Sequence, residues 1–245
     1  MEYIRDYEKL SDRLDVITES NRLIERVEKL LSLLSSLAEK YADVPVPLDE
    51  KTPAPFGYLL LALCQGFLSD VGRLEDTKRR AAVSPVCGGP IGCSEPSERK
   101  EIALANGIFS VSRNCLAGIL DDDHLTDLAN CAKFIAKHIG ICKDELKKWS
   151  EKGYISYTIS DIDIKYNGTD IILRYRPLEN ALKELISAFE SMEADTDRMR
   201  TDAERIDLKG EDLYTFLQSH NCVGGVSSER IAEEIGRIRT MITNE

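Results

Sequence analysis

Histidine is scarce in this chain, tryptophan occurs once, and no cysteine stands in a C-x-x-C pair. With three imidazoles and no paired thiols, the common zinc spacings are excluded, and no Ser-His-Asp order, P-loop or dinucleotide-binding glycine fingerprint takes their place. The seven cysteines (64, 87, 93, 115, 131, 142 and 222) are odd in number and irregularly spaced. Cys87 and Cys93 flank a Gly/Pro turn and could bridge or hold a metal, but no matching His or Cys pair follows them. Free or buried thiols in a reducing compartment are the better reading. Long apolar runs are missing too: the longest, around Phe56 to Cys64, is far short of the about 20 residues a membrane helix needs, and MEYIRDYEKL has no signal-peptide core. An excess of positive charge is also lacking. Lys plus Arg number 32 against 43 Asp plus Glu, a net charge of −11, and Lys78-Arg79-Arg80 is flanked by acids. Nucleic acid and anionic membrane are therefore poor partners. A soluble, cytoplasmic protein without metal or cofactor is expected.

What the chain does contain is helical rhythm. At 42% hydrophobic and 31% charged it can bury a sizeable core. Leu23, Val27, Leu30, Leu34, Leu37 and Tyr41 step by four and three, with Ile24, Leu31 and Ala38 alongside. The same stride runs from Leu125 through Leu128, Ala132, Ile135, Ile139, Cys142 and Leu146 to Trp149. It returns from Leu178 through Leu182, Leu185, Phe189, Met192, Thr196, Met199 and Ala203 to Ile206, as one long helix. Residues 56–80, opened by Pro53-Ala54-Pro55, predict another helix, and residues 95–105 a shorter one with Pro96 in its first turn.

One stretch departs from this pattern. SYTISDIDIKYNGTDIILRYRP sets β-rich runs on either side of Asn167-Gly168, which predicts a hairpin at 154–176 with a type I′ turn. The sequence thus predicts a mainly α protein: a residual N-terminal segment (1–20), a central long-helix bundle (21–207) carrying one β-hairpin, and a small C-terminal helical unit (208–245). In that last unit Gly210 to His220 and a helix opened by Ser227 or Ser228 flank Gly224-Gly225. Three apolar positions per heptad over such long stripes predict cover by other subunits, with Ile135 in the seam.

Three segments carry a resemblance to argininosuccinate lyases of the fumarase/aspartase superfamily. Leu37 to Arg80 resembles the family's helix, loop and helix. Ser112 to Ser150, opening SRNCLAGILDDDHL, is similar to its "t-R-N-S-L-D-A-V-S-D-R-D-F" segment and the long helix behind it. Glu211 to Ile238 resembles its C-terminal unit. The resemblance implies a long-helix bundle of the fumarase/aspartase type, a homotetramer, and elimination of an amine or water from a succinyl group to release fumarate. Such chemistry needs a base beside a carboxylate, a cationic or amide-rich pocket, and an acid for the leaving nitrogen.

Residue by residue, the carry-over is incomplete. VPVPLDEKTPAP contains no histidine for the family's Thr-His. The family's mobile "G-S-S-x-M-P-x-K-x-N-P" loop falls where the hairpin is predicted. Ser160, Lys165 and Asn167 can be set under its second Ser, Lys and Asn, but Ile159 then occupies the base-bearing Ser, and the three read equally as strand and turn residues. Arg113-Asn114 match the family's Arg-Asn and are the candidate substrate contacts together with Asn167. Asp121, Asp122 and Asp123 stand for its Asp-Arg-Asp, with Asp122 exchanging a cation for an anion and His124 in the place of Phe. That acidic run also suits a helix N-terminus. The Gly-rich AVSPVCGGPIGC could hold an anion or be a turn. His138, one position off its seam, reads as a packed histidine. The sequence-level expectation is a shortened, oligomeric, catalytically degenerate relative that binds a small dicarboxylate or amino acid, or regulates a partner. The alternative is an active lyase drawing on Ser160, Lys165 or His220.

Overall fold

A computed structural model describes residues 4–49, 52–86, 96–158, 175–208, 210–213, 215–216 and 228–243. Among them helices form at α1 (Ile4–Lys40), α2 (Phe56–Ala81), α3 (Pro96–Ala105), α4 (Cys115–Leu120), α5 (Asp123–Glu151), α6 (Tyr175–Glu190), α7 (Thr196–Glu204) and α8 (Ser228–Thr243), of which the short α4 was not predicted. Six short strands complete them: β1 (Pro45–Pro47), β2 (Pro53–Pro55), β3 (Val83–Ser84), β4 (Ser110–Val111), β5 (Ile155–Ser156) and β6 (Glu193–Ala194). No helix among the described residues is long and apolar enough to cross a membrane.

The chain divides into two compact units, each assembled from separated stretches. The first takes the described parts of Met1–Glu25, Asp70–Phe134 and Lys165–Leu178. Its core gathers Leu10, Val86, Ala103 and Ile108, with Leu14, Ile102 and Val111 packed against them. β3 and β4 pair in parallel, Val83 opposite Ser110 and Ser84 opposite Val111. The buried Arg99 of α3 joins the ends of this pair, donating from Nε to the Val86 carbonyl (3.1 Å) and from Nη2 to that of Ser112 (2.6 Å).

The second unit takes Arg26–Ser69, Ile135–Ile164 and Glu179–Glu245, again in their described parts. Here the predicted stripes do their packing: Leu30, Leu34, Phe56, Leu60, Cys64, Ile135, Ile139, Leu146, Leu182, Leu185 and Phe189 have no solvent exposure. The seam expected to need other subunits is thus covered by the chain's own helices, because α1, α2, α5 and α6 present their stripes to one another. Ile135 is an interior residue and not a subunit contact. Burial lifts the Cys64 thiol to about 12, and raises Cys142 as well, so neither supplies a thiolate at neutral pH.

β1 and β2 pair antiparallel with Val46 opposite Ala54, and deliver the chain directly into α2. Phe56 N–H donates to the Val44 carbonyl at 2.7 Å and Gly57 N–H to that of Tyr41 at 3.0 Å. Phe56 meets Trp149 edge-on, with centroids 4.9 Å apart. A Cβ on Gly57 would press into the Ala38 carbonyl oxygen and lie 2.9 Å from Ala42 Cα. His138 is half-buried over Gly66 and meets Phe67 edge-on at 5.8 Å, the packed position expected for it.

At its C-terminus α5 closes with a Schellman motif: Tyr154 N–H reaches the Trp149 carbonyl (2.9 Å), Gly153 N–H that of Ser150 (2.8 Å), and Gly153 has φ of 71°.

Three boundaries differ from expectation. α1 begins at Ile4, so the division at residue 20 falls inside a continuous helix; no Pro or Gly interrupts residues 4–40, and Arg13 and Ser20 take core-facing positions that the apolar pattern does not mark. The helix predicted over 178–206 is broken, because Asp195 caps α7 by accepting from Arg198 N–H at 3.0 Å and so competes with helix continuation. The hairpin limits of 154–176 also shift. Ile155 pairs with Ala194 and Ser156 with Glu193, whereas Tyr175 and Arg176 already belong to α6. Residues 159–174, which hold the predicted turn, lie outside the described residues.

Candidate functional site

The most distinctive polar constellation is at the α4–α5 corner of the first unit. It begins with Ser112, whose N–H donates to the Ser84 carbonyl (2.9 Å) and whose carbonyl is held by Arg99. The Ser112 hydroxyl donates to the Asn114 carbonyl at 2.7 Å. Asn114 is extended and caps α4, its Oδ1 accepting from Ala117 N–H at 3.2 Å. Gly118 lets α4 close on this segment, since a Cβ there would lie 2.9 Å from the Ser112 side chain. Arg113 and Asn114, the predicted contacts, are therefore adjacent and both exposed, with Asn114 already engaged as a cap.

α4 lasts only six residues and ends at Asp121, whose N–H donates to the Ala117 carbonyl at 3.0 Å. The Asp121 carboxylate then works in two directions. Oδ1 accepts from Asp123 N–H (3.0 Å) and so opens α5, while Oδ2 accepts from Arg13 Nη2 (2.9 Å). Burial of Asp121 raises its carboxyl, but the Arg13 hydrogen bond, the Asp123 amide and the Arg13 charge outweigh it, leaving the group below the usual carboxylate range.

Arg13 is 1% exposed and also donates to the Arg80 carbonyl (3.3 Å) and the Asp121 carbonyl (3.4 Å). Lys9 pairs with Asp122, and Arg80 with Asp127 at 2.6 Å. His124, also 1% exposed, has no hydrogen-bond partner on either ring nitrogen among the described residues. Burial, and then the nearby Arg13 charge, hold its imidazole below the ordinary range, against the carboxylates of Asp121, Asp122 and Asp12.

The site therefore contains three consecutive carboxylates, with Lys9 and Arg13 committed to two of them. Sequence reasoning found Arg113, Asn114, the acidic run and His124, but not Lys9 or Arg13. The Arg13 signal was present: Leu10, Arg13, Val16, Ser20, Leu23 and Val27 keep a helical stride, and a cation on that stride must be paired. Ser160, Lys165, Asn167 and His220 lie outside the described residues, as do residues 87–93 of the Gly-rich segment. A groove of about 410 Å³ in the other unit is lined by residues that include Gln65, Arg230, Arg237, Glu233 and Glu234. Its mixed charge gives a dicarboxylate no clear preference.

No protein-family profile matches the chain. It is 30% identical over 161 residues to the argininosuccinate lyase of Desulfitobacterium hafniense (strain DSM 10664 / DCB-2), covering 64% of this chain and 35% of that protein. The chain thus matches about a third of the length of this curated relative. Among solved structures, EDDS lyase in complex with formate aligns with a TM-score of 0.71 at 15% identity, over 97% of this chain and 57% of the other. The fumarate lyase:delta crystallin of Brucella melitensis aligns with a TM-score of 0.62 at 14% identity, over 98% and 66%. The Arg-Asn and acidic motifs, the helical bundle that carries them and these alignments agree: the chain is similar in sequence to argininosuccinate lyases over 64% of its length and shares the long-helix bundle fold of EDDS lyase and of the Brucella melitensis fumarate lyase:delta crystallin.

Proposed function

We propose that this chain is a catalytically degenerate relative of argininosuccinate lyase, acting as an oligomeric metabolite-binding or regulatory protein. One observation carries this reading. Where the elimination of a succinyl substrate calls for cations to hold a developing dianion, the corner offers Asp121, Asp122 and Asp123, with Arg13 and Lys9 already paired to the first two. Charge that develops during elimination at these three carboxylates meets like charge. Asn114, whose amide oxygen caps α4, serves the fold first.

Arg113 remains the contact through which a small dicarboxylate or amino acid would be held, and Asn167 is a second candidate. Self-association is part of the proposal. Phe134 and Ile141 are 41% and 43% exposed on α5, an apolar pair one heptad apart that a second copy would cover, and a tetramer is the expected assembly. The runner-up reading, an active lyase converting argininosuccinate to arginine and fumarate, is favoured by the sequence relation to argininosuccinate lyases. Ser160 and Lys165 would then carry proton transfer.

Fumarate release from argininosuccinate, followed by ultraviolet absorbance, separates the two readings. Degeneracy predicts no release above background and no further change in Ser160→Ala or Lys165→Ala. Turnover that disappears in either variant refutes it. Thermal shifts with argininosuccinate, fumarate and arginine then identify the ligand class, since a ligand bound only by the folded state raises stability.

A further inference from the structure

His124 has no role in the proposed function, yet few residues of the first unit are more tightly enclosed. It is the second residue of the 29-residue α5, and is 1% exposed with neither ring nitrogen hydrogen-bonded among the described residues. Three physical terms oppose a positive charge at this point. Burial removes water from the imidazole, the guanidinium of the equally buried Arg13 lies nearby, and the start of a long helix carries the positive end of its dipole.

The charges around it are already matched. From α1, Arg13 holds Asp121 and Lys9 holds Asp122, and Arg13 and Asp12 are the two groups of that helix bearing on the ring. From α2, Arg80 gives its carbonyl to Arg13 and its side chain to Asp127. From α5, Asp123 adds a further carboxylate in the first turn. Asp121, Asp122 and Asp12 attract a proton to His124, but less strongly than burial and Arg13 repel it.

We propose that His124 is a proton-operated latch: neutral, it seals the first half of α1 against the start of α5, and protonated, it places a second cation beside Arg13 and loosens that contact. The sign follows from linkage. An unfolded histidine titrates near about 6.5, so the opened chain takes up a proton that the closed unit refuses. Closure is fully retained above that pH and weakens as pH falls below it, until the folded imidazole itself titrates. The Asp121 carboxylate, held below the usual carboxylate range, keeps its charge throughout this interval and does not open the latch itself.

Amide hydrogen exchange on the intact chain, compared at about pH 7.5 and about pH 5.5 and corrected for intrinsic rates, tests the latch. Amides of the first half of α1 and the first turns of α5 are expected to lose protection at the lower pH, while those of α6 do not. In His124→Phe, which keeps the ring volume without the proton, this loss should vanish. Equal pH dependence in wild type and variant overturns the proposal. If His124→Phe does not fold, His124→Leu replaces it, and an NMR titration of wild type decides independently. A His124 imidazole that protonates at or above the ordinary histidine pKa, with α1 still protected, also overturns it.

Discussion

Replacing Gly57 with alanine adds one methyl group to a place with no room for it. The new Cβ would meet the Ala38 carbonyl oxygen and stand 2.9 Å from Ala42 Cα and 3.1 Å from Ala42 N, all backbone atoms that no rotamer change can move. The α1–α2 connection must therefore shift as a body, and the shift strains the hydrogen bond from Gly57 N–H to the Tyr41 carbonyl. Overpacking costs about 1–3 kcal/mol and a weakened hydrogen bond about 1 kcal/mol, set against a helix-propensity gain below about 1 kcal/mol. The net loss is roughly 1–3 kcal/mol, which for a chain of this length lowers Tm by about 2–12 °C.

The assay is built into the protein. Trp149 is the single tryptophan, 4% exposed and edge-on to Phe56, the residue beside Gly57. Urea unfolding followed by its fluorescence therefore reads this junction directly. Gly72→Ala and Gly140→Ala, where a Cβ meets nothing within 4 Å, are the controls and should be neutral or slightly stabilising. A Gly57→Ala protein as stable as these controls would refute the close approach of α1 and α2.

Two further substitutions test the packing and the corner. Ile135→Asp buries a carboxylate in the chain's own interior and should cost about 3–5 kcal/mol, seen by circular dichroism as lost helix, whereas Phe134→Asp and Ile141→Asp should keep the helix and alter only the mass measured by light scattering. Native helicity with broken assembly in Ile135→Asp would put that seam between subunits. Asp121→Asn leaves Arg13 buried without its counter-charge and should cost about 1–3 kcal/mol at neutral pH. Because the Asp121 carboxyl is depressed, its contribution is complete above about pH 4 and fades as pH falls through the folded value, so the wild-type and variant unfolding midpoints should converge in acid.

The long helices were legible because Leu30, Leu34, Ile135, Ile139, Leu182 and Leu185 repeat at helical spacing and all six are buried, although Leu37 and Leu125 of the same strides are only half-buried. What covers a stripe is not written in its period. Ile135 looks the same whether a neighbouring helix or another subunit sits on it. The break between α6 and α7 was hidden for a related reason: Met192, Met199, Ala203 and Ile206 are buried and keep the stride across it, and only the cap at Asp195 marks the end. The parallel β3–β4 pair is two residues long and leaves no period at all; a distant side chain, Arg99, ties its ends. At the corner, Arg113-Asn114 and the acidic run were found through resemblance. Arg13 stands on the helical stride of Leu10 and Val16, where a buried cation must be paired, but its pairing with Asp121, more than 100 positions away, was not legible until the two stretches came together.

The interleaving of the two units bears on how the chain comes off the ribosome. The α1 stretch holding Leu30, Leu31 and Leu34 belongs to a unit completed only by residues beyond Glu179, so at about 5–20 residues per second it waits roughly 5–20 s after Ser69 for its last partners. During that interval it has only the first half of α2 and then α5 to pack on, and the nascent protein exposes a leucine-rich surface of the kind holdase chaperones bind. The yield of folded protein is therefore expected to depend on synthesis rate as well as on final stability.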